Sequence, residues 1–220
     1  MGANLDNHSV ARAYAFWAPV YDVVFGQVFE AGRRAAIAAA ERVCGAQGGR
    51  ILEVGVGTGI SLPGYQRVNR LIGVDLSEPM LRKAAERATA QRLDNVDMLS
   101  VMDAERLALP DESFDVVVAQ YVITTVPHPE ATLDEFARVT RPGGEIVLVN
   151  HIGAEAGLRR VFERGLSPFA RKLGWQPAFR LATLTDWATS HGRVHMIERR
   201  AMPPFGHFSL IRFERFRRAA

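Results

Sequence analysis

The stretch Arg50-Ile-Leu-Glu-Val-Gly-Val-Gly-Thr-Gly-Ile60 decides the fold. Ile51, Leu52 and Val54 form a short apolar run that reads as a buried strand, and glycines at 55, 57 and 59 end it. Glycine lets a chain turn tightly and lets its backbone approach a ligand closely. A glycine-rich turn after a parallel strand is a common nucleotide site in open α/β sheets, although the same string also suits a turn that holds nothing. Here it is E-x-G-x-G-x-G, with Glu53 two residues before the first glycine. That differs from the G-x-G-x-x-G of dinucleotide binders, and an acid at this point suits a cationic ligand better than a pyrophosphate.

Working outward, Leu71-Ile-Gly-Val-Asp75 reads as a second strand with an acid at its tip. Such an acid can accept two ribose hydroxyls. Ser77 is a good N-cap for the helix that follows, Pro79 fits its first turn, and Leu76 and Met80 would flank whatever sits on Asp75. Val96–Val101 is a third strand, and Met102-Asp103-Ala104 after it could pack on a purine and accept its amino hydrogen. After a polar loop at 104–112, Phe114–Gln120 is a buried fourth strand whose tail, Gln120-Tyr121-Val122, points into the site. Glu130–Thr140 is a helix, Arg141–Gly144 a turn, and Glu145–Asn150 a fifth strand running into His151. Alternating strands and helices give an α/β fold, a Rossmann-like doubly wound sheet that is mostly parallel.

The flanks read differently. Residues 7–18 form a helix with Val10, Tyr14 and Trp17 on one face, suited either to a core or to a membrane interface. Tyr21 follows, then an Ala-rich helix over about 27–44 that ends at glycines. Pro63 and Gly64 break the helix after the glycine turn. Beyond His151 comes a basic helical stretch at 155–173, a helix at about 185–190, and two alternating strands at 193–199 and 207–216. The expected organisation is one domain: a helical lid at 1–44, a cofactor-binding core at 45–151, a basic helical insertion at 152–182, and a closing helix and hairpin at 183–220.

Composition limits the function. With 48% hydrophobic residues in 220, the chain can bury a sizeable core. No apolar run reaches the ~18 residues of a spanning helix. No signal peptide is visible at the N-terminus, and the single Cys44 forms no internal disulfide, so a cytoplasmic protein is expected. Residues 1–155 hold 14 Lys/Arg against 20 Asp/Glu, whereas residues 156–220 hold 13 against 4. A basic part of net +9 beside an acidic one of net −6 implies an anionic partner, nucleic acid or a membrane surface. None of the six histidines pairs with Cys44 or another histidine in a zinc-like arrangement, so no metal is expected.

Glu53 with its glycines, Asp75 at the second strand end and Met102–Ala104 at the third together resemble the class I S-adenosylmethionine-dependent methyltransferases over roughly residues 45–151. The resemblance implies a seven-stranded sheet closed by an edge hairpin whose last strand is antiparallel. It implies S-adenosylmethionine as cofactor and S-adenosylhomocysteine as product. It places Glu53 near the amino-acid moiety, Gly55 and Gly57 under the cofactor, Asp75 with Leu76 and Met80 at the ribose, and Met102, Asp103 and Ala104 at the adenine. Gln120, Tyr121 and Tyr21 would face the sulfonium side.

The lead-in Tyr14-Ala-Phe-Trp-Ala-Pro-Val-Tyr-Asp22, the helix start Asp75-Leu-Ser-Glu-Pro-Met80 and the basic insertion are similar to small soluble bacterial phosphatidylethanolamine N-methyltransferases. Quinone-ring C-methyltransferases of this size carry a comparable lead-in. The resemblance implies an enzyme with a phospholipid acceptor and a peripheral place on an anionic membrane, and the alternative is a C- or O-methyltransferase of a quinone or another small lipophilic molecule. Intact Glu53, Gly55, Gly57 and Asp75 argue against a binding module that has lost its cofactor site. A nucleic-acid acceptor is disfavoured, because residues 119–126 read Ala-Gln-Tyr-Val-Ile-Thr-Thr-Val, with no Asn-Pro-Pro-Tyr type of motif. An ammonium must lose a proton before it attacks, and Tyr21 and His151 are the catalytic candidates. His128, between Pro127 and Pro129, reads as structural.

Overall fold

The structure is a computed structural model that describes residues 29–152, 179–203 and 206–217. The helix expected at 7–18, Tyr21 and the basic stretch at 155–173 lie outside the described residues. Helix α1 (Glu30–Cys44) leads into strand β1 (Arg50–Val54) and a 3₁₀ turn at Leu62–Gly64. Strand β2 (Arg70–Asp75), helix α2 (Glu78–Ala90) and strand β3 (Val96–Val101) follow. Then come β4 (Phe114–Gln120), α3 (Pro129–Val139), β5 (Thr140–His151), α4 (Leu181–His191), β6 (Val194–Met202) and β7 (Phe208–Arg215).

The seven strands form one sheet in the order β3-β2-β1-β4-β5-β7-β6. The first five pair in parallel, and β7 is antiparallel to both β5 and β6. The order reverses between β1 and β4, so the loops leaving these two strands diverge and open a crevice at their carboxyl ends.

Alternation along each strand sorts the core onto two faces. Ile51, Val116, Val118, Val147 and Val149 pack under α1 and α2. Leu52, Val54, Val117, Ala119, Ile146 and Leu148 pack under α3 and α4 with Phe136, Leu184 and Trp187. The α1 face is made of small residues, and Ala36, Ala39 and Ala40 are wholly buried. A side chain at Gly32 would collide with the Tyr121 hydroxyl and Val149. This close approach makes α1 a core layer, so the lid expected at 1–44 does not include its last helix.

Three local expectations need correction. Strand β5 begins at Thr140, because Arg141–Gly144 is a bulge within the strand rather than a turn before it. The register steps from Phe114↔Thr140 to Val116↔Glu145, and Gly143 takes φ +77°. Helix α4 starts at Leu181, so a boundary at 182 falls inside it. Ser77 occupies the N-cap of α2, but its hydroxyl makes no cap hydrogen bond.

Candidate active site

The glycine turn is built against the end of β2. The Gly55 and Val56 N–H groups both donate to the Val74 carbonyl, at 2.8 and 3.1 Å. Gly55, Gly57 and Gly59 all have positive φ. A Cβ at Gly55 would strike Val122, and one at Gly59 would press on Leu62 and Ala84. At Gly57 nothing stands within 4 Å of that position. Gly55 and Gly59 therefore serve packing, whereas Gly57 leaves backbone open to a ligand.

Asp75 closes this cradle. Its Oδ2 accepts the Gly57 N–H and its Oδ1 the Ser77 N–H, both at 2.8 Å. Burial raises the Asp75 pKa, and the backbone N–H groups of Ser77, Gly57 and Leu76 oppose that shift. Beside it the Ser77 hydroxyl is buried with no partner. Met80 is buried in the first turn of α2, and Leu76 is half-buried. Met102 joins the wall through its N–H, which donates to the Asp75 carbonyl at 3.1 Å. Asp103 Oδ1 accepts the Glu105 N–H, and Ala104 is half-buried. The loop after them is held by Arg138, which donates to the Leu107 and Leu109 carbonyls at 2.8 Å and pairs with Glu135 and Asp111.

Glu53 is 3% exposed, on the face of α1 at the end of β1. Its Oε1 accepts from Ser61 Oγ at 2.6 Å and Gln120 Nε2 at 3.0 Å, whereas Oε2 is buried without a partner. Burial pushes its pKa up to about 7, against the attraction of Ser61, Tyr65, Arg33 and Gln120. The Tyr65 hydroxyl, also buried, makes no hydrogen bond of ordinary geometry. A buried carboxyl oxygen with no donor is costly unless a ligand supplies one. Glu53 Oε2, the Ser77 hydroxyl and the open backbone at Gly57 thus fit a ligand with a cationic end and a hydroxyl-bearing body.

At β4 the expected pair divides. Gln120 is committed to Glu53 across the β1–β4 boundary. Tyr121 takes φ +62°, a strained value for a side chain of its size. Its ring stacks on Phe29 with centroids 4.0 Å apart and meets Phe208 edge-on at 5.3 Å. Its hydroxyl lies 3.4 Å from the Phe29 carbonyl. His151, half-buried at the end of β5, lies opposite Phe208 in the β5–β7 register and stacks on His207 at 6.2 Å. His128 is exposed at the N-cap of α3 and bound to Glu105 through its ring and its backbone N–H. Tyr21 lies outside the described residues. Ser61, Tyr65 and Arg33 were missed from the sequence, since only the folded register brings them to Glu53. Among the described residues no group of three or more His, Cys, Asp or Glu is arranged to hold a metal.

A methyltransferase domain model matches residues 52–148. The phosphatidylethanolamine N-methyltransferase of Cereibacter sphaeroides is 42% identical over 207 residues, covering 94% of this chain and 98% of that protein. The chain belongs to the family of that methyltransferase. It is an S-adenosylmethionine-dependent methyltransferase, and the cradle of Glu53, Gly57, Asp75 and Ser77 fits that cofactor. A ubiquinone/menaquinone biosynthesis C-methyltransferase of Burkholderia mallei is 28% identical over 53% of this chain and 49% of its own length. The solved phosphoethanolamine N-methyltransferase 2 of Haemonchus contortus, bound to phosphomonomethylethanolamine and S-adenosylhomocysteine, superposes with a TM-score of 0.69. It is 21% identical over 91% of this chain and 47% of that one, a likeness of fold.

Proposed function

We propose that this methyltransferase acts on the amine of phosphatidylethanolamine at an anionic membrane surface, in successive rounds that end at phosphatidylcholine. The observation that carries this reading is the 42% identity to a phosphatidylethanolamine N-methyltransferase along nearly the whole of both chains. The similarity to a quinone-pathway enzyme covers only about half of each chain and is weaker. The basic C-terminal part supports an anionic surface as partner.

Each residue then has a task. S-adenosylmethionine, when bound, supplies an electrophilic methyl on a sulfonium sulfur that keeps the bonding pair as the methyl leaves. Glu53 Oε2 holds the cofactor's ammonium, Gly57 lines its path on a turn that Gly55 packs in place, and Asp75 with Leu76, Ser77 and Met80 receives the ribose. Met102, Asp103 and Ala104 hold the adenine. Gln120 orients Glu53, and Tyr121 closes the sulfonium side with Tyr21. The acceptor amine attacks only without its extra proton, and His151, at the carboxyl end of β5, takes that proton, with Tyr21 as the alternative base.

The test is transfer of label from S-adenosylmethionine to vesicles of defined lipid, followed by product extraction. Label is expected in mono-, di- and trimethylated phosphatidylethanolamine. Label found only in an added quinone would overturn the reading. His151→Ala or Tyr21→Phe should lower turnover about 10²-fold while cofactor affinity holds.

A further inference from the structure

Strand β5 carries an anomaly on the face opposite Glu53. Asn150 is 1% exposed, and neither its Oδ1 nor its Nδ2 has a hydrogen-bond partner. By alternation it shares the face of Ile146 and Leu148, packed under α3 and α4. Its register partner on β7 is Ser209, and Ile152 beyond it is again apolar core. Each unpaired buried polar group destabilises a fold, and an isosteric apolar residue would remove the cost of both atoms at once. Nothing in the packing calls for an amide here. Its position does: Asn150 lies at the carboxyl end of β5, where ligands bind in sheets of this kind, and His151 beside it turns to the other face of the same strand end.

We propose that Asn150 is an acceptor-positioning residue of the methyltransferase, with its amide reserved for the amine that receives the methyl group. The inference rests on the amino-lipid reading given above. Oδ1 accepts an N–H of the amine and so turns the nitrogen lone pair toward the methyl donor, while Nδ2 donates to an oxygen of the same head group. A neutral amide suits this work better than a carboxylate. An anion beside the amine would stabilise its ammonium form and hold back the proton that must leave before attack.

The test compares wild type, Asn150→Leu and Asn150→Asp for thermal midpoint, cofactor affinity by calorimetry, and methyl transfer to phosphatidylethanolamine vesicles across pH. Asn150→Leu should melt at the same temperature as wild type or higher, bind cofactor equally, and transfer methyl about tenfold more slowly or worse, the scale of one lost substrate hydrogen bond. Asn150→Asp should shift the acid limb of the pH–rate profile to higher pH. A Leu variant that transfers methyl at the wild-type rate overturns the proposal. So does a Leu variant with a lowered melting temperature together with an Asp variant whose pH profile is unmoved, since the amide would then be structural. Wild type that leaves the vesicles unlabelled overturns the amino-lipid reading and this inference with it. Labelled wild type matched by the Leu variant overturns this inference alone.

Discussion

Glu53 shows how one side chain can bind stability and ligand affinity to the same proton. Its carboxyl titrates near pH 7 in the folded protein and near its ordinary 4.5 when unfolded. Below pH 4.5 both states hold the proton and no difference arises. Between 4.5 and 7 the unfolded chain releases it first, so stability falls as pH rises, by up to about 3 kcal/mol, and then levels off. Glu53→Gln keeps an oxygen for Ser61 and Gln120 and removes the titration. Its melting temperature should therefore exceed that of wild type by a margin that grows from pH 5 to 7 and is constant above. A margin independent of pH would contradict the assignment. Cofactor affinity should run the other way: in wild type it weakens as pH falls below 7, because an ammonium needs the ionised acid, and in Glu53→Gln it is weak throughout. Asn150 and Ser77 are the residues the sequence concealed. An asparagine before a histidine and a serine before a helix read as a strand end and a cap. Only the register of β5 against β7, and the turn of the Ser77 backbone toward Asp75, leave both side chains buried without partners.

At the level of elements, the glycine turn separates two demands that the sequence writes identically. Gly55→Ala should mainly lower the melting temperature, through the collision with Val122 and its positive φ. Gly57→Ala meets open space, so only its φ of +55° opposes it, at about 1–2 kcal/mol. Its larger effect should appear in calorimetry, as a cofactor affinity reduced well beyond the stability loss. Equal affinity in Gly57→Ala and wild type would move the ligand's path off this backbone. Strands β1, β2 and β4 were legible because their apolar runs are almost unbroken, the pattern of strands covered on both faces, and β1 and β2 run into glycine and acid. The early start of β5 was not. Arg141-Pro-Gly-Gly144 has the composition of a turn, and only the pairing of Thr140 with Phe114 extends the strand past it. The place of Tyr121 after β4 was legible, but not its positive φ, which sets the ring against Phe29 and Phe208.

Across the whole molecule, the basic excess of residues 156–220 is partly internal. Arg212 bridges Glu145 on β5 and Glu198 on β6, and Arg215 pairs with Glu112 and donates to the Thr140 carbonyl. On the proposed membrane reading, attraction would come from the remaining cations, including Arg159, Arg160, Arg164, Arg171 and Lys172, each contributing about 1 kcal/mol near an anionic surface. Co-sedimentation should favour anionic over neutral vesicles and weaken as salt shortens screening from ~10 Å at 0.1 M to ~3 Å at 1 M. Equal binding to both, insensitive to salt, would remove the electrostatic contribution. Among the described residues no helix is long and apolar enough to cross a membrane. The hydrogen bond from Gln120 to Glu53 joins positions 67 residues apart in the chain. During synthesis the glycine turn therefore leaves the ribosome with Ser61 close behind it, but long before Gln120 can complete the hold on its acid. A nascent chain halted short of β4 carries the complete glycine string and the Ser61 hydroxyl, but not the Gln120 amide that gives Glu53 its second hydrogen bond. The ability to capture S-adenosylmethionine should thus arise in one step as β4 docks on β1, past the middle of the chain, and not build up as the turn emerges.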